Sequence, residues 1–173
     1  MDVVGVTSLL ITKQAQTFHW AGYGLKLHIP QGSLPADLEE CRLHIKVGLS
    51  GEFEFPQNTS LVSAVYWIDS EPQRRFYKPI KMELQHCSTS NQSSELSIVQ
   101  AKCSQEFLPY TFTPMKEGEF KLSSYGSIHL SHFSLFAVTG KMPQYCAGLY
   151  YISREQKVCF VITKNLKAYK TVN

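Results

Sequence analysis

The 173-residue chain has no apolar run approaching the ~20 residues that a membrane-spanning helix needs. The apolar stretch from Val3 to Ile11 has Asp2 where a signal peptide carries a basic leader. It also contains Gly5, Thr7 and Ser8, so it reads as a first strand. Five cysteines (Cys41, Cys87, Cys103, Cys146 and Cys159) include no Cys-x-x-Cys or His-x-Cys spacing, which argues against zinc. Their odd number and wide spacing point to free thiols in a reducing, cytoplasmic setting. Asn58-Thr59-Ser60 and Asn91-Gln92-Ser93 match the glycosylation pattern, but without a secretory leader they read as chance matches. The net charge of +3 is too small for a nucleic-acid footprint. Glycine-rich phosphate loops, paired catalytic carboxylates and Gly-x-Ser-x-Gly elbows are missing, so no cofactor is expected. Helical periodicity is nearly absent, with Ala36–Glu40 long enough for one turn only.

What the chain does have is alternation. Hydrophobic residues make up 43 % and charged residues 18 %, enough for a folded core. Aromatic residues, at 12 %, favour strands. In Leu25–Ile29, Leu25, Leu27 and Ile29 alternate with Lys26 and His28, and Pro30 ends what reads as an edge strand. Gly32 suits a positive φ in the turn that follows, and Pro35 stiffens its exit. Cys41–Leu49 alternates most cleanly, with Leu43, Ile45, Val47 and Leu49 facing in and Arg42, His44 and Lys46 facing out. Leu61–Ile68 is apolar almost throughout and reads as central. Lys78–His86 turns Ile80, Met82 and Leu84 inward. Val4–Thr12 with a continuation at Thr17–Trp20, then Leu96–Lys102, Phe107–Phe112, Glu119–Leu122 and Ser127–Val138, supply further strands. Many short strands separated by turns imply an all-β fold, an antiparallel β-sandwich or partly open barrel, with Trp20 and Trp67 in the core.

The organisation divides near residue 140. Residues 1–140 read as one sandwich domain. Residues 141–173 read as a C-terminal hairpin extension, Ala147–Ser153 against Val158–Thr163, too short for a core of its own.

Three landmarks carry a resemblance: Ile29-Pro30-Gln31-Gly32-Ser33-Leu34-Pro35, Lys78-Pro79-Ile80 with His86-Cys87, and His132 through Gly140. From Val4 to Gly140 the chain resembles the ZU-five domain of zonula occludens proteins, ankyrins and netrin receptors, the netrin-receptor branch most of all. Gly148–Ile152 and Val158–Ile162 resemble the opening strands of the UPA domain that often follows it. The resemblance implies a non-enzymatic interaction module of an intracellular scaffold or receptor-signalling protein. It would bind other proteins or neighbouring domains of its own polypeptide, and neither nucleic acid nor the membrane interior.

One tripeptide suggests chemistry. Related domains in death-domain and inflammasome proteins cut themselves at a His-Phe-Ser sequence, and His132-Phe133-Ser134 matches it. Ser134 Oγ would attack the Phe133 carbonyl, an N-to-O acyl shift would give an ester, and water would cleave it. On one strand His132 and Ser134 would share a face, making His132 the base, with His129 reached by a bulge as the alternative. Relatives add an upstream histidine and an acid; Glu117 and Glu119 are the acidic candidates. The competing reading is ordinary strand sequence with Phe133 in the core.

Other candidates have plain readings too. His28 and His44 would adjoin as metal ligands only if their strands paired; otherwise they lie on a solvated face. His86-Cys87 is an activated thiolate or a strand end with a buried thiol. Arg74, Arg75, Lys157, Lys164, Lys167 and Lys170 offer an acidic-partner surface or simple solubility.

Overall fold

The computed structural model describes residues 1–88, 95–102, 108–121 and 124–141, together with the backbone of 149–152 and 157–160. Its strands in chain order are β1 (Val3–Thr12), β2 (Gln16–Trp20), β3 (Leu25–Ile29), β4 (Glu40–Gly48), β5 (Phe53–Glu54), β6 (Thr59–Leu61), β7 (Val65–Glu71) and β8 (Ile80–Gln85). They continue with β9 (Leu96–Ala101), β10 (Tyr110–Thr111), β11 (Thr113–Pro114), β12 (Glu119–Phe120), β13 (Tyr125–Leu130), β14 (Leu135–Lys141), β15 (Leu149–Ile152) and β16 (Lys157–Phe160).

Two antiparallel sheets face each other. The larger runs β1-β4-β7-β14-β9-β11, with β6 also paired to β14; the smaller runs β12-β13-β8-β3-β2. Both end in open edges, so the fold is a sandwich and not a closed barrel. Alternation decides what fills the space between them. Leu25, Leu27 and Ile29 of β3 and Ile80, Met82 and Leu84 of β8 meet Leu43, Ile45 and Val47 of β4 across the core. Each such buried side chain contributes about 1.5–3 kcal/mol relative to exposure.

The larger sheet is covered on its outer face as well. Val65, Leu135, Ala137, Val99 and Ala101 form a second cluster there with Phe112. A two-stranded parallel ribbon, β5 with β10, brings Phe53, Phe55 and Tyr110 over it. Phe55 and Phe112 stack 4.9 Å apart, and Phe53 meets Phe112 edge-on at 5.8 Å.

The Pro30–Pro35 turn is fixed by neighbours. Gly32 takes φ +72° and its N–H donates to the Lys13 carbonyl at 2.9 Å. The buried Ser33 hydroxyl donates to the Pro30 carbonyl at 2.7 Å, and Lys78 Nζ to the Gln31 carbonyl at 2.8 Å.

Several expectations change. β3 is not an edge strand: it lies between β2 and β8, because Thr17–Trp20 folds back to pair with it. β2 therefore does not continue β1 in one sheet, since the chain crosses between sheets at Lys13–Ala15. Ser127–Val138 is likewise two strands in different sheets, β13 and β14. Neither tryptophan is fully buried. Trp20 flanks the main core, while Trp67 flanks the outer cluster beneath Lys46, whose Nζ is 5.1 Å from its ring. β7 is central as expected, between β4 and β14. Residues 103–107 lie outside the described residues, so only Tyr110–Thr111 of the Phe107–Phe112 segment is a strand here. Of Glu119–Leu122, the strand covers Glu119–Phe120. β15 and β16 pair antiparallel, Leu149 opposite Phe160. Lys164, Lys167, Lys170, Asn91, Cys103 and Cys146 lie outside the described residues. Among those described, no helix is long and apolar enough to cross a membrane.

Candidate functional site

The His-Phe-Ser tripeptide lies where the chain passes from the smaller sheet to the larger, between the end of β13 at Leu130 and the start of β14 at Leu135. Backbone bonds hold both flanks of this crossover. Phe76 N–H donates to the Ser131 carbonyl at 2.8 Å, and Ile68 N–H to the Ser134 carbonyl at 2.9 Å. Phe133 packs on the core and meets Phe76 edge-on at 5.4 Å. That is why the sequence shows no polar break here: the crossing residue itself is an anchor.

His132 and Ser134 do not share a strand face. Ser134 is buried and its hydroxyl donates to the Ala101 carbonyl on β9. His132 is exposed, and its Nε2 accepts from Gln100 Nε2 at 3.3 Å. The expectation that His132 faces Ser134 is therefore corrected, because neither residue is in a strand. His129 lies on β13 opposite Lys81, on the outer face of the smaller sheet. Glu119 lies on β12 opposite Ser127, and Glu117 in the turn before it. Among the described residues no histidine ring or carboxylate is hydrogen-bonded to the Ser134 hydroxyl. Among the described residues the only non-glycine one with positive φ is Asn58, so the crossover holds no left-handed backbone strain.

Beside Ser134 opens a groove of about 860 Å³, lined by Asp69, Gln73, Arg74, Arg75, Lys102 and His132 among others. Asp69 is occupied: its Oδ1 accepts from Ser70 N–H at 2.9 Å and from Gln73 Nε2 at 3.2 Å. Arg74, Arg75 and Lys102 are exposed and make no ion pair among the described residues. The groove is thus cationic. Lys102 gave no signal in the sequence; the register Leu135 opposite Ala101 is what carries it alongside Ser134.

The remaining candidates separate. His28 and His44 lie in different sheets, so they do not adjoin. His44 Nε2 lies 3.2 Å from Glu71 Oε2, and His28 Nε2 lies 3.7 Å from Glu83 Oε1. Three or more metal-ligating side chains converge nowhere among the described residues. His86 and Cys87 are buried just beyond the end of β8, with His86 edge-on to Phe120 at 5.8 Å. Cys41 and Cys87 are buried and in no disulfide. Burial raises the Cys41 pKa and Asp69 adds to the rise, against a hydrogen bond with the Glu71 backbone that lowers it. That thiol is kept protonated and inert.

Fold and site together define an open β-sandwich with a cationic groove at one end. The family model of the ZU5 domain matches residues 7–102, and the chain belongs to that family. ZU5 domains are protein-interaction modules. The first two landmarks, Ile29–Pro35 and Lys78–Cys87, fall inside the match, and the His132–Gly140 landmark falls beyond it. No curated protein matches the chain.

Proposed function

We propose that the chain is the interaction module of an intracellular scaffold or receptor-signalling protein of the netrin-receptor type. On this reading residues 141–173 open a UPA-like unit, the module acts in the cytoplasm, and it performs no turnover. The observation that carries the reading is the engagement of Ser134. Its hydroxyl proton is committed to the Ala101 carbonyl, while three cations in the adjoining groove stay open to a partner. Cys41 and Cys87, in no disulfide, fit a reducing compartment. The test is capture of a partner by the purified chain, followed by reconstitution with that partner purified. A defined complex supports the reading; no reconstituted complex with any captured protein overturns it.

A second reading keeps one observation in its favour. The Phe133–Ser134 bond is held on both sides by the bonds to Ser131 and Ser134, which fixes it where an acyl shift would occur. Ser134 Oγ would add to the Phe133 carbonyl, the amide nitrogen would leave with the proton, and water would hydrolyse the ester. A denaturing gel decides: fragments of about 15 kDa and about 4.5 kDa, absent in Ser134→Ala, support self-cleavage (at about 110 Da per residue). A single full-length band excludes it.

A further inference from the structure

The outer face of the smaller sheet carries a row of two histidines flanking a lysine, with no carboxylate in it. Strand pairing sets Thr17 opposite His28, His28 opposite Lys81, and Lys81 opposite His129. Directly opposed side chains in such ladders have Cβ atoms about 4.5–5.5 Å apart, so Lys81 stands between two imidazoles. All four residues are exposed or half-buried, while their strand neighbours Leu27, Met82 and Ile128 point into the core.

The next row along the strands is His19, Lys26, Glu83, Ser127 and Glu119. Glu83 is already shared. Lys81 Nζ donates to its Oε1 at 2.5 Å, Lys26 Nζ lies 3.7 Å from its Oε2, and His28 Nε2 lies 3.7 Å from Oε1. Lys26 also sits 4.0 Å over the Tyr125 ring. Glu119 is exposed on the far edge strand, and Lys78 is turned to the Gln31 carbonyl. With neutral histidines the two lysines of this face balance the two glutamates. Protonation of His19, His28 and His129 leaves the face strongly positive.

A cavity of about 320 Å³ opens beside the row, lined by Pro30 and Pro79 and by His28, Lys81 and His129 among others. Apolar surface next to a cationic rim suits a carboxylate that has an apolar neighbour. We propose that the His28–Lys81–His129 row is a docking site for an acidic, partly apolar segment of a partner protein, gripped more tightly as the histidines protonate. The carboxylate sits at Lys81 between the two imidazoles, and its apolar neighbour rests on Pro30 and Pro79. Each imidazolium adds a positive charge to the row, so the grip strengthens as pH falls. This inference rests on the interaction-module reading and names one surface of it.

The test follows the imidazole proton resonances of the full chain during titration with an acetylated Glu-Leu-Glu-Glu-Leu-Glu peptide. The expected result is saturable movement of the His28 and His129 signals, with affinity about tenfold higher near pH ~5.5 than near pH ~7.5. His28→Gln with His129→Gln should remove the pH dependence while the fold stays intact, and Lys81→Gln should abolish binding. Equal affinity at both pH values, or binding unchanged in the variants, overturns the assignment. So does a response to vesicles containing phosphatidylserine with none to the peptide. Such failure leaves the module reading standing, because partner capture tests that reading without altering this face.

Discussion

The Tyr23 hydroxyl donates to the Val4 carbonyl at 2.6 Å, on the open side of β1. β1 is the outer strand of the larger sheet and, among the described residues, is paired only to β4. Gln16 does the same job further along: its Nε2 donates to the Leu10 carbonyl at 3.2 Å, and its Oε1 accepts from Thr12 N–H at 2.9 Å. Alternation in an antiparallel ladder then directs the backbone groups of Val6 and Ser8 to the same open side. The side chains of Val4, Val6 and Leu10 are exposed there, Val6 at 67 %. A long apolar edge of this kind pairs with other chains unless it is blocked, and the two caps leave only a short window.

Removing the caps should therefore open the edge. Tyr23→Phe combined with Gln16→Ala is expected to self-associate with rising concentration more than the parent chain does, read by sedimentation velocity. Adding Val6→Lys to the pair should reverse the effect, because edge lysines oppose strand pairing. Unchanged sedimentation of the double variant would sink the idea.

Gly5 makes the first cap reachable. A Cβ at this position would lie 2.5 Å from Tyr23 Cζ. Gly5→Ala should destabilise the fold by about 1–3 kcal/mol through overpacking, measured as a shift in the urea midpoint. In a Tyr23→Ala background the same substitution should cost much less, since contacting sites are not additive.

Ser63 closes a gap in the larger sheet. β14 pairs with β7 at Leu135–Phe136 and with β6 at Thr139–Lys141, leaving Ala137 and Val138 between. The buried Ser63 hydroxyl accepts from Val138 N–H at 2.8 Å, while Val62 N–H donates to the Val138 carbonyl at 2.9 Å. Ser63→Ala strands that amide and should cost about 1–3 kcal/mol. Ser63→Thr keeps the oxygen and should recover part of the loss in the same denaturation measurement.

Glu83 sets an acid limit on stability. Its pKa is lowered from the ordinary 4.5, chiefly by the Lys81 hydrogen bond and further by Lys81, His28 and Lys26, with burial opposing them. A carboxyl with a depressed folded pKa stabilises above its unfolded value and loses that contribution as pH falls through the folded one. The stability advantage of the parent chain over Glu83→Gln should be full near neutral pH and shrink steadily below pH ~4.5. An advantage that stayed constant to low pH would show that the carboxylate charge contributes nothing.

Much of this architecture is legible in the sequence because half-buried strands alternate. Arg42, His44 and Lys46 face out and Leu43, Ile45 and Val47 face in, as their order dictates. Sheet membership is not encoded that way. Periodicity places Leu25–Ile29 in a strand but says nothing of β2 folding back to cover its edge. Ser127–Val138 looks continuous because Phe133, at the crossing, is as apolar as a strand residue. The candidate site suffered most from this. Reading His132 and Ser134 as strand neighbours gave them one face, whereas a crossover sends one to solvent and the other against β9. Trp67 shows the same limit: an apolar strand with two covered faces does not reveal which cover each residue meets.

The aromatic ribbon over the larger sheet gives the domain two separable layers of protection. β14 has β9 along one side, β7 and β6 along the other, the main core beneath and Phe112 with its neighbours above. Its amides can reach solvent only through an opening of the whole sandwich. The ribbon is tied by short β5–β10 pairing and can lift alone, so amides at Tyr110 and Phe112 should exchange with deuterium orders of magnitude faster than those of Ala137 and Val138. A partner that touched this ribbon would leave its mark as slowed exchange at Tyr110 and Phe112, with the amides of β14 unchanged.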